Sequence, residues 1–200
     1  MGKNDHPRIT LDSIALAEWM PSFDAEDYEG VARIILDSTQ AVAAAGAEFA
    51  ICPDNSAHLA WDYVQAETPI PWLHIGQVVA DEARQRGYRR IGVLGTRFTM
   101  AGRLYRDTLA AAGIEAMAPE RDDFEIVDRI IFEELVDGVV TDASRQQYRD
   151  AIARLGERGC DAVALACTEI PMLVGPDDSP LPTLDSTRLL AEAALREAVA

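Results

Sequence analysis

Short apolar segments alternate with amphipathic helical segments along the chain, and this alternation constrains the fold more than any other sequence feature. The predicted strands cover residues 8–14, 49–52, 72–75, 90–94, 114–117 and 162–166. The predicted helices cover residues 24–46, 55–65, 78–86, 100–112, 124–136, 144–157 and 186–199, with a short helix near Thr168 and a Pro-rich loop over 175–182. Strands that alternate with helices form βαβ units, so we predict an α/β fold of parallel sheets flanked by helices.

Composition and charge exclude several classes of protein. The chain has 200 residues, 48% of them hydrophobic, which suits one domain or two small lobes. A net charge of −16 repels nucleic-acid phosphates and anionic lipids, so we expect neither as a partner. There is no long apolar run and no secretory signal pattern. The cysteines are Cys52, Cys160 and Cys167, too sparse for a disulfide framework, which favours the cytoplasm. Since no Cys or His pair has zinc-ligand spacing, we expect no metal site.

Two predicted strands end in small polar residues followed by a helix, and these two strand exits are the candidate site. The first exit carries Asp54, Asn55 and Ser56, and the second carries Cys167, Thr168 and Glu169. In parallel α/β sheets, ligands bind beyond the carboxyl ends of the strands. A simpler interpretation remains open at both exits. The first three residues could only cap a helix, and a cysteine after a strand is often a small buried apolar residue.

One reactive side chain at each exit suits proton transfer at carbon. A racemase needs a base on one face of the α-carbon and an acid on the other. Backbone N–H groups at a strand-to-helix turn can stabilise the carboxylate and the developing negative charge. A helix N-terminus also lowers the pKa of a thiol, so we expect Cys167 to be a ready thiolate.

Several motifs then resemble those of the aspartate/glutamate racemase family. ALACTEIPML, from Ala164 to Leu173, resembles the second-cysteine motif of the family. GVLGTRFTM, from Gly92 to Met100, resembles its conserved strand and turn. PDNSAH, from Pro53 to His58, is similar to its first-cysteine motif, and the resemblance extends over essentially the whole chain.

The resemblance implies two pseudo-symmetric α/β lobes with the active site between them. It implies racemisation of a free, small and acidic amino acid by a homodimer, without pyridoxal phosphate, metal or other cofactor. In this chain the second-cysteine role falls to Cys167. The roles that hold the substrate carboxylate and amino groups fall to Asn55, Ser56, Thr96 and Thr168. The interface of such a dimer could include Trp19, Met20, Phe23 and Trp61. These four residues could equally belong to the core.

The chain departs from the family pattern in two places. The first cysteine of the family aligns with Asp54, whereas Cys52 lies inside the predicted strand, where we expect it to be packed. The usual pair of thiols thus becomes an Asp54/Cys167 acid–base pair. The family also begins with a strand and glycine-rich loop, a unit of roughly 25–30 residues that has no match in this sequence before residue 6. We therefore expect a first lobe of residues 1–72 and 180–200 without its first strand, and a second lobe of residues 73–179.

Three functions remain open at this point. The first is racemisation by Asp54 and Cys167. The second is isomerisation or decarboxylation of a small dicarboxylate by Cys167 alone, since one proton donor suffices when loss of CO2 creates the carbanion. The third is a catalytically inactive relative that binds a small molecule.

Overall fold

The computed structural model describes residues 6–200, and these form two parallel sheets, as predicted for an α/β protein. The first sheet has two strands and the second has four, in the order β4-β3-β5-β6. The strands are β1 (Ala50–Ile51), β2 (Trp72–Leu73), β3 (Arg90–Gly95), β4 (Glu115–Met117), β5 (Ala162–Ala166) and β6 (Thr183–Asp185). Every described strand pair is parallel, so the residues that follow β3 and β5 emerge at one edge of the second sheet.

Helices connect and cover the strands. The α-helices are α1 (Leu16–Asp24), α2 (Tyr28–Ala44), α3 (Trp61–Val64), α4 (Ile75–Gln85), α5 (Arg97–Ala101), α6 (Leu104–Ala111), α7 (Arg121–Glu133), α8 (Asp142–Glu157), α9 (Ile170–Leu173) and α10 (Ser186–Ala198). Short 3₁₀ helices cover Ser56–Ala60 and Leu135–Asp137. Side-chain caps fix where some helices begin, because the Asp27 carboxylate accepts from Gly30 N–H at 2.8 Å and the Thr141 hydroxyl from Ser144 N–H at 3.1 Å.

The central strands β3 and β5 of the second sheet are buried on both faces, which is why each reads as a nearly continuous apolar run. Along β5, Ala162, Ala164 and Ala166 face the core formed with α4, α6 and α10. The alternate residues Val163 and Leu165 face the core formed with α7 and α8. The first lobe has a smaller core of its own, built mainly from α1, α2 and α3.

The predicted strand at residues 8–14 is wrong. These residues have no regular secondary structure, and the side chains of Ile9 and Leu11 are 86% and 83% exposed. Alternating apolar residues form a strand only where a neighbouring strand takes up their backbone hydrogen bonds. In the part of the chain that the structure describes, no strand pairs with this segment.

The predicted helix over residues 24–46 begins later, since α1 ends at Asp24 and α2 starts at Tyr28. Glu26 lies between them with a φ of 53°, a left-handed conformation that no helix continues through. The predicted helix over 100–112 likewise divides into α5 and α6 around Gly102.

The strand β6 follows the Pro-rich loop and was not predicted from the sequence. It is three residues long and only Leu184 is buried, so its apolar pattern is too short to stand out. Because β6 pairs with β5 and α10 packs on α4, residues 183–198 join the second sheet. The sequence interpretation assigned residues 180–200 to the first lobe, whereas the structure pairs β6 with the second sheet; the boundaries of the two lobes stay a prediction.

No helix among residues 6–200 is both long enough and apolar enough to cross a lipid bilayer.

Candidate active site

A cavity of about 100 Å³ lies where β1, β3 and β5 end, between the two lobes. Its walls include all six residues predicted for the site, namely Asp54, Asn55, Ser56, Thr96, Cys167 and Thr168. Asp54 comes from the first lobe and Cys167 from the second, and the charge of Asp54 acts on the Cys167 thiol. The two strand exits thus meet in one cavity, while the role of each residue stays a prediction.

The Asp54 carboxylate caps the helix that follows it and also forms part of the cavity wall. Its Oδ1 accepts a hydrogen bond from the backbone N–H of Ala57 at 3.0 Å, which caps the 3₁₀ helix that follows. Burial raises the pKa of Asp54, an effect that the backbone N–H groups of Ala57 and Ser56 oppose and the nearby Glu169 reinforces. The predicted capping role and a chemical role are therefore compatible, and Asp54 takes up a proton more readily than a solvated aspartate.

The Cys167 thiol is a hydrogen-bond donor and not the thiolate that the sequence suggests. Its Sγ donates to Oε2 of Glu169 at 3.0 Å, and the Thr168 hydroxyl donates to the same oxygen at 2.6 Å. Burial raises the pKa of Cys167 strongly, and the charge of Glu169 raises it further. The expected lowering by a helix N-terminus is wrong, since α9 has only four residues and begins three residues later, at Ile170.

Glu169 lies in the second strand exit, but the sequence interpretation gave it no catalytic or substrate-binding role. It lines the cavity and is the side-chain partner of the proposed acid–base thiol. The signal that could have identified it is its position two residues after Cys167, in a polar exit from an apolar strand. An acid so close to a thiol is expected to control the protonation of that thiol.

Three hydroxyl groups gather between the first and second lobes. The Ser56 Oγ lies 3.0 Å from Thr96 Oγ1 and 3.1 Å from Thr99 Oγ1. Thr96 also caps α5, since its hydroxyl accepts from the N–H of Thr99 at 3.4 Å. Ser56 and Thr96 line the cavity and can donate hydrogen bonds to an anionic group.

Asn55 lies in a buried network that connects the Asp54 loop to the second lobe. The Tyr105 hydroxyl donates to Asn55 Oδ1 at 2.6 Å, and Asn55 Nδ2 donates to Ser186 Oγ at 3.1 Å. Ser186 in turn donates to the backbone carbonyl of Leu165 at 2.9 Å, two residues before Cys167. Its amide thus has one partner at Oδ1 and one at Nδ2 within the protein. Its predicted contact with substrate stays a prediction.

The other cysteines and the buried histidine have packing roles. Cys52 packs against the first-lobe core, and burial raises the pKa of its thiol to about 12. Cys160 is buried in the second lobe. The ring of His58 bonds the Asp54 carbonyl at 2.8 Å through Nδ1 and accepts from Ile75 N–H at 3.3 Å through Nε2. Burial lowers the pKa of His58 to about 3, so it holds the Asp54 loop as a neutral ring.

No group of three or more His, Cys, Asp or Glu side chains within residues 6–200 is arranged to hold a metal ion. The chemistry that the cavity can support with its own side chains is proton transfer between carboxyl and thiol groups.

Comparison with known proteins identifies the family. The profile of the Asp/Glu/hydantoin racemase family matches residues 3–194. The chain is 24% identical over 172 residues to the broad specificity amino-acid racemase RacX of Bacillus subtilis (strain 168). The aligned region covers 84% of this chain and 72% of that protein. A solved structure of a candidate Asp/Glu racemase from Yersinia pestis is 34% identical with a TM-score of 0.90, covering 100% of this chain and 87% of that one.

A second solved structure, an aspartate racemase homologue from Pyrococcus horikoshii OT3, is 30% identical with a TM-score of 0.85, again covering 100% of this chain and 87% of that one. These matches extend over both lobes and both strand exits. They confirm the resemblance and the two-lobed α/β fold that the sequence motifs implied. The chain belongs to the Asp/Glu/hydantoin racemase family, and its enzyme class is that of an amino-acid racemase.

Proposed function

We propose that the protein racemises a free amino acid by a two-base reaction in which Asp54 and Cys167 act on opposite faces of the α-carbon. The observation that carries this proposal is the meeting of Asp54 and Cys167, one from each lobe, in a single cavity with Glu169 bonded to the thiol. The resemblance further supports a reaction without pyridoxal phosphate or metal.

When Asp54 is the base and Cys167 the acid, both groups already have the required protonation state in the free protein. The Asp54 carboxylate removes the α-proton from one face, and the Cys167 thiol delivers its own proton to the opposite face. Between these two transfers the negative charge lies on the substrate carboxylate, which becomes an enediolate. The hydroxyls of Ser56 and Thr96 are placed to donate hydrogen bonds to that charge.

In the opposite direction the Cys167 thiol must give up its proton before it can act as a base. Glu169 Oε2 already accepts the thiol hydrogen bond at 3.0 Å, so the proton can pass from Sγ to that carboxylate. The thiolate then removes the α-proton, and Asp54, which has first taken up a proton from solvent, delivers that proton to the other face while Glu169 releases the thiol proton to solvent. The raised pKa of Asp54 favours this second role, because a more basic carboxyl holds its proton more readily.

The substrate α-ammonium group completes the electrostatics of the site. The charged residues that line the described cavity are Asp54 and Glu169, both acidic. A cation placed between them offsets their repulsion and stabilises a thiolate at Cys167. Binding of the substrate is therefore expected to activate the thiol, which explains how a thiol with a raised pKa takes part in catalysis.

Exchange of the α-proton tests the proposal. The chiral proteinogenic amino acids are incubated with the protein in D2O, and ¹H NMR follows loss of the α-proton signal while chiral chromatography follows the enantiomers. We expect deuterium in the product enantiomer. Release of CO2 from a dicarboxylate without exchange would favour the single-cysteine decarboxylase, and binding without any reaction would favour an inactive relative.

A homodimer, as the resemblance implies, and a cytoplasmic location, as the sparse cysteines favour, are also part of this proposal. The apolar residues considered for the dimer interface belong largely to the first-lobe core, where the Phe23 ring is 3% exposed and lies 5.3 Å from the Phe98 ring. Phe23 is therefore not available to an interface, whereas Trp19, Met20 and Trp61 are partly exposed and can still contribute to one. Sedimentation velocity at micromolar concentration is expected to show a dimer, and a single monomeric species would contradict this part of the proposal.

A further inference from the structure

We infer that the substrate carries an uncharged, largely apolar side chain, and not the acidic side chain that the resemblance implies. The inference rests on the proposed racemisation and concerns the part of the substrate that lies beyond the α-carbon. It follows from the charges and surfaces that line the cavity.

The reacting end of the cavity already holds two acidic groups, Asp54 and Glu169. No lysine or arginine side chain lines the cavity in the part of the chain that the structure describes. An aspartate or glutamate substrate has one ammonium and two carboxylates, so it would add net negative charge to a site without a balancing cation. Burying an unpaired charge is strongly unfavourable, and like charges nearby make it worse.

The arginine nearest to this wall in sequence, Arg97, is already paired elsewhere. Its guanidinium bonds Asp24 at 3.0 Å and Asp128 at 3.4 Å. It also lies over the rings of Phe98 and Phe132, at 4.2 and 5.1 Å from their centroids. Those rings line the cavity, whereas the guanidinium does not. Arg97 is thus held by two carboxylates and separated from the cavity by the rings on which it stacks.

The remaining wall of the cavity is apolar. It is built by Leu16, Met20 and Phe23 from α1, by Phe98 from α5, and by Phe132 and Val136 from α7 and the 3₁₀ helix after it. An apolar substrate side chain gains free energy by covering such a surface. A lysine or arginine side chain that lay against this wall would bury its cation, because none of these six residues carries a carboxylate. The wall therefore selects against charge of either sign.

The first test compares substrates on the unmodified protein. Deuterium exchange at the α-carbon is measured for L-leucine, L-methionine, L-aspartate and L-glutamate at equal concentrations. We expect kcat/KM for leucine or methionine to exceed that for either acidic amino acid by at least about tenfold. Faster exchange of aspartate or glutamate would overturn the inference and leave the proposed racemisation standing.

A charge placed in the wall gives the second test. Val136→Arg introduces a cation at a lining residue that is 42% exposed, so the larger side chain can be accommodated. We expect aspartate and glutamate to gain kcat/KM and leucine to lose it. Val139→Arg is the matched control, because Val139 is 46% exposed in the same segment and does not line the cavity. Equal effects of the two variants, or no shift with Val136→Arg, would contradict the inference.

If no amino acid exchanges its α-proton, binding measured by calorimetry separates the racemase proposal from the inference of an apolar substrate side chain. Leucine that binds the unmodified protein more tightly than aspartate, without exchange, would overturn the racemase proposal and support the apolar wall. Absence of binding by leucine, methionine, aspartate and glutamate would overturn both.

Discussion

The two strand exits that meet in the cavity are held in place by different means. Cys167 follows β5, whose five residues are all buried between β3 and β6. Asp54 follows β1, whose two residues are partly exposed and which, among the described residues, pairs only with β2. Backbone pairing therefore positions the thiol. The carboxylate instead depends on side chains around it, chiefly Tyr105, Asn55 and His58.

This difference shows where the geometry of the site is vulnerable. A ladder of backbone hydrogen bonds in a buried sheet tolerates the loss of any one side chain. A loop held by a few buried side-chain bonds does not, because each lost bond leaves a buried polar atom without a partner. Substitutions far from the reacting atoms should therefore disturb the Asp54 side more than the Cys167 side.

The largest loss of racemase activity is expected at the second strand exit, from Cys167→Ala. Removal of a positioned acid–base group typically costs 10²- to 10⁴-fold, so we expect kcat/KM for racemisation to fall by about 10³-fold or more. The melting temperature should change little, because β5 holds the exit through its backbone. Enantiomer interconversion and thermal unfolding of the same preparation provide the two measurements.

The matched controls are Cys52→Ala and Cys160→Ala, which shorten packed thiols outside the cavity wall. Both should keep most of the activity while losing some stability, the reverse of the Cys167 variant. An inactive Cys52 variant beside an active Cys167 variant would show that the two thiols have been assigned the wrong roles.

A smaller but still large effect is expected on the carboxyl side, from Asp54→Asn. The amide oxygen can still accept from Ala57 N–H, so the cap is kept while the acid–base function is lost. We expect racemisation to fall by about 10²-fold or more with little change in the free energy of unfolding. Activity is assayed from both enantiomers. Undiminished activity would leave Asp54 with a capping role only.

The companion variant Asp54→Cys rebuilds the pair of thiols that the family resemblance implies. We expect it to retain more activity than Asp54→Asn, because a second thiol can exchange protons with the α-carbon and an amide cannot. Comparable loss in the two variants would show that the first lobe accepts only a carboxylate at this position.

An intermediate effect tests the side chains that hold the Asp54 loop. Tyr105→Phe removes the hydrogen bond to Asn55 Oδ1 and leaves that buried oxygen without its donor. We expect about 1–3 kcal/mol less stability and about a tenfold lower kcat, with KM less affected, because the loop loses its alignment with Cys167. Steady-state kinetics well below the melting temperature separate the two effects.

Tyr148→Phe is the matched control, since Tyr148 is equally buried but bonds the Val127 carbonyl within the second lobe. It should cost similar stability and leave kcat almost unchanged. Equal losses of kcat in both variants would show that Tyr105 acts only through general stability.

The sequence predicted the long, buried and periodic elements, because their patterns reflect their own burial. It therefore located β3, β5 and the helices around them, and it placed all six candidate residues at one cavity. It did not predict β6, whose three residues bury only Leu184. At residues 8–14 the sequence instead predicted a strand that does not form, because alternation of apolar and polar residues does not supply a partner strand.

Electrostatic properties were the least predictable, because they depend on neighbours from other parts of the chain. The pKa of Cys167 was expected to be lowered by a helix N-terminus and is instead raised by burial and by Glu169. The hydrogen bonds of the Asn55 side chain could not be predicted either, because its partners Tyr105 and Ser186 are distant in sequence.

The smallest expected effect concerns the protonation of the thiol in the free protein, tested with Glu169→Gln. A thiolate is negatively charged, so the nearby Glu169 carboxylate disfavours it and raises the pKa of Cys167. Glutamine has nearly the same shape but no charge, and its amide can donate a hydrogen bond to the thiolate. The pKa of Cys167 should therefore fall in the variant, and alkylation of Cys167 by iodoacetamide at mildly alkaline pH should become severalfold faster. Racemisation should slow all the same, because the acceptor for the thiol proton is lost.

Mass spectrometry of the peptides that contain Cys167 and Cys160 follows alkylation at each thiol against pH. Cys160 is the internal control, since the groups that shift the pKa of its thiol do not include Glu169. Thr168→Val is the second control, because it removes the other hydrogen bond to Glu169 Oε2 and keeps the charge. An alkylation profile of Cys167 that is identical in Glu169→Gln and the unmodified protein would mean that burial alone protonates this thiol. The proton that Cys167 must release would then need another acceptor, and the two strand exits would differ in chemistry as well as in the way they are held.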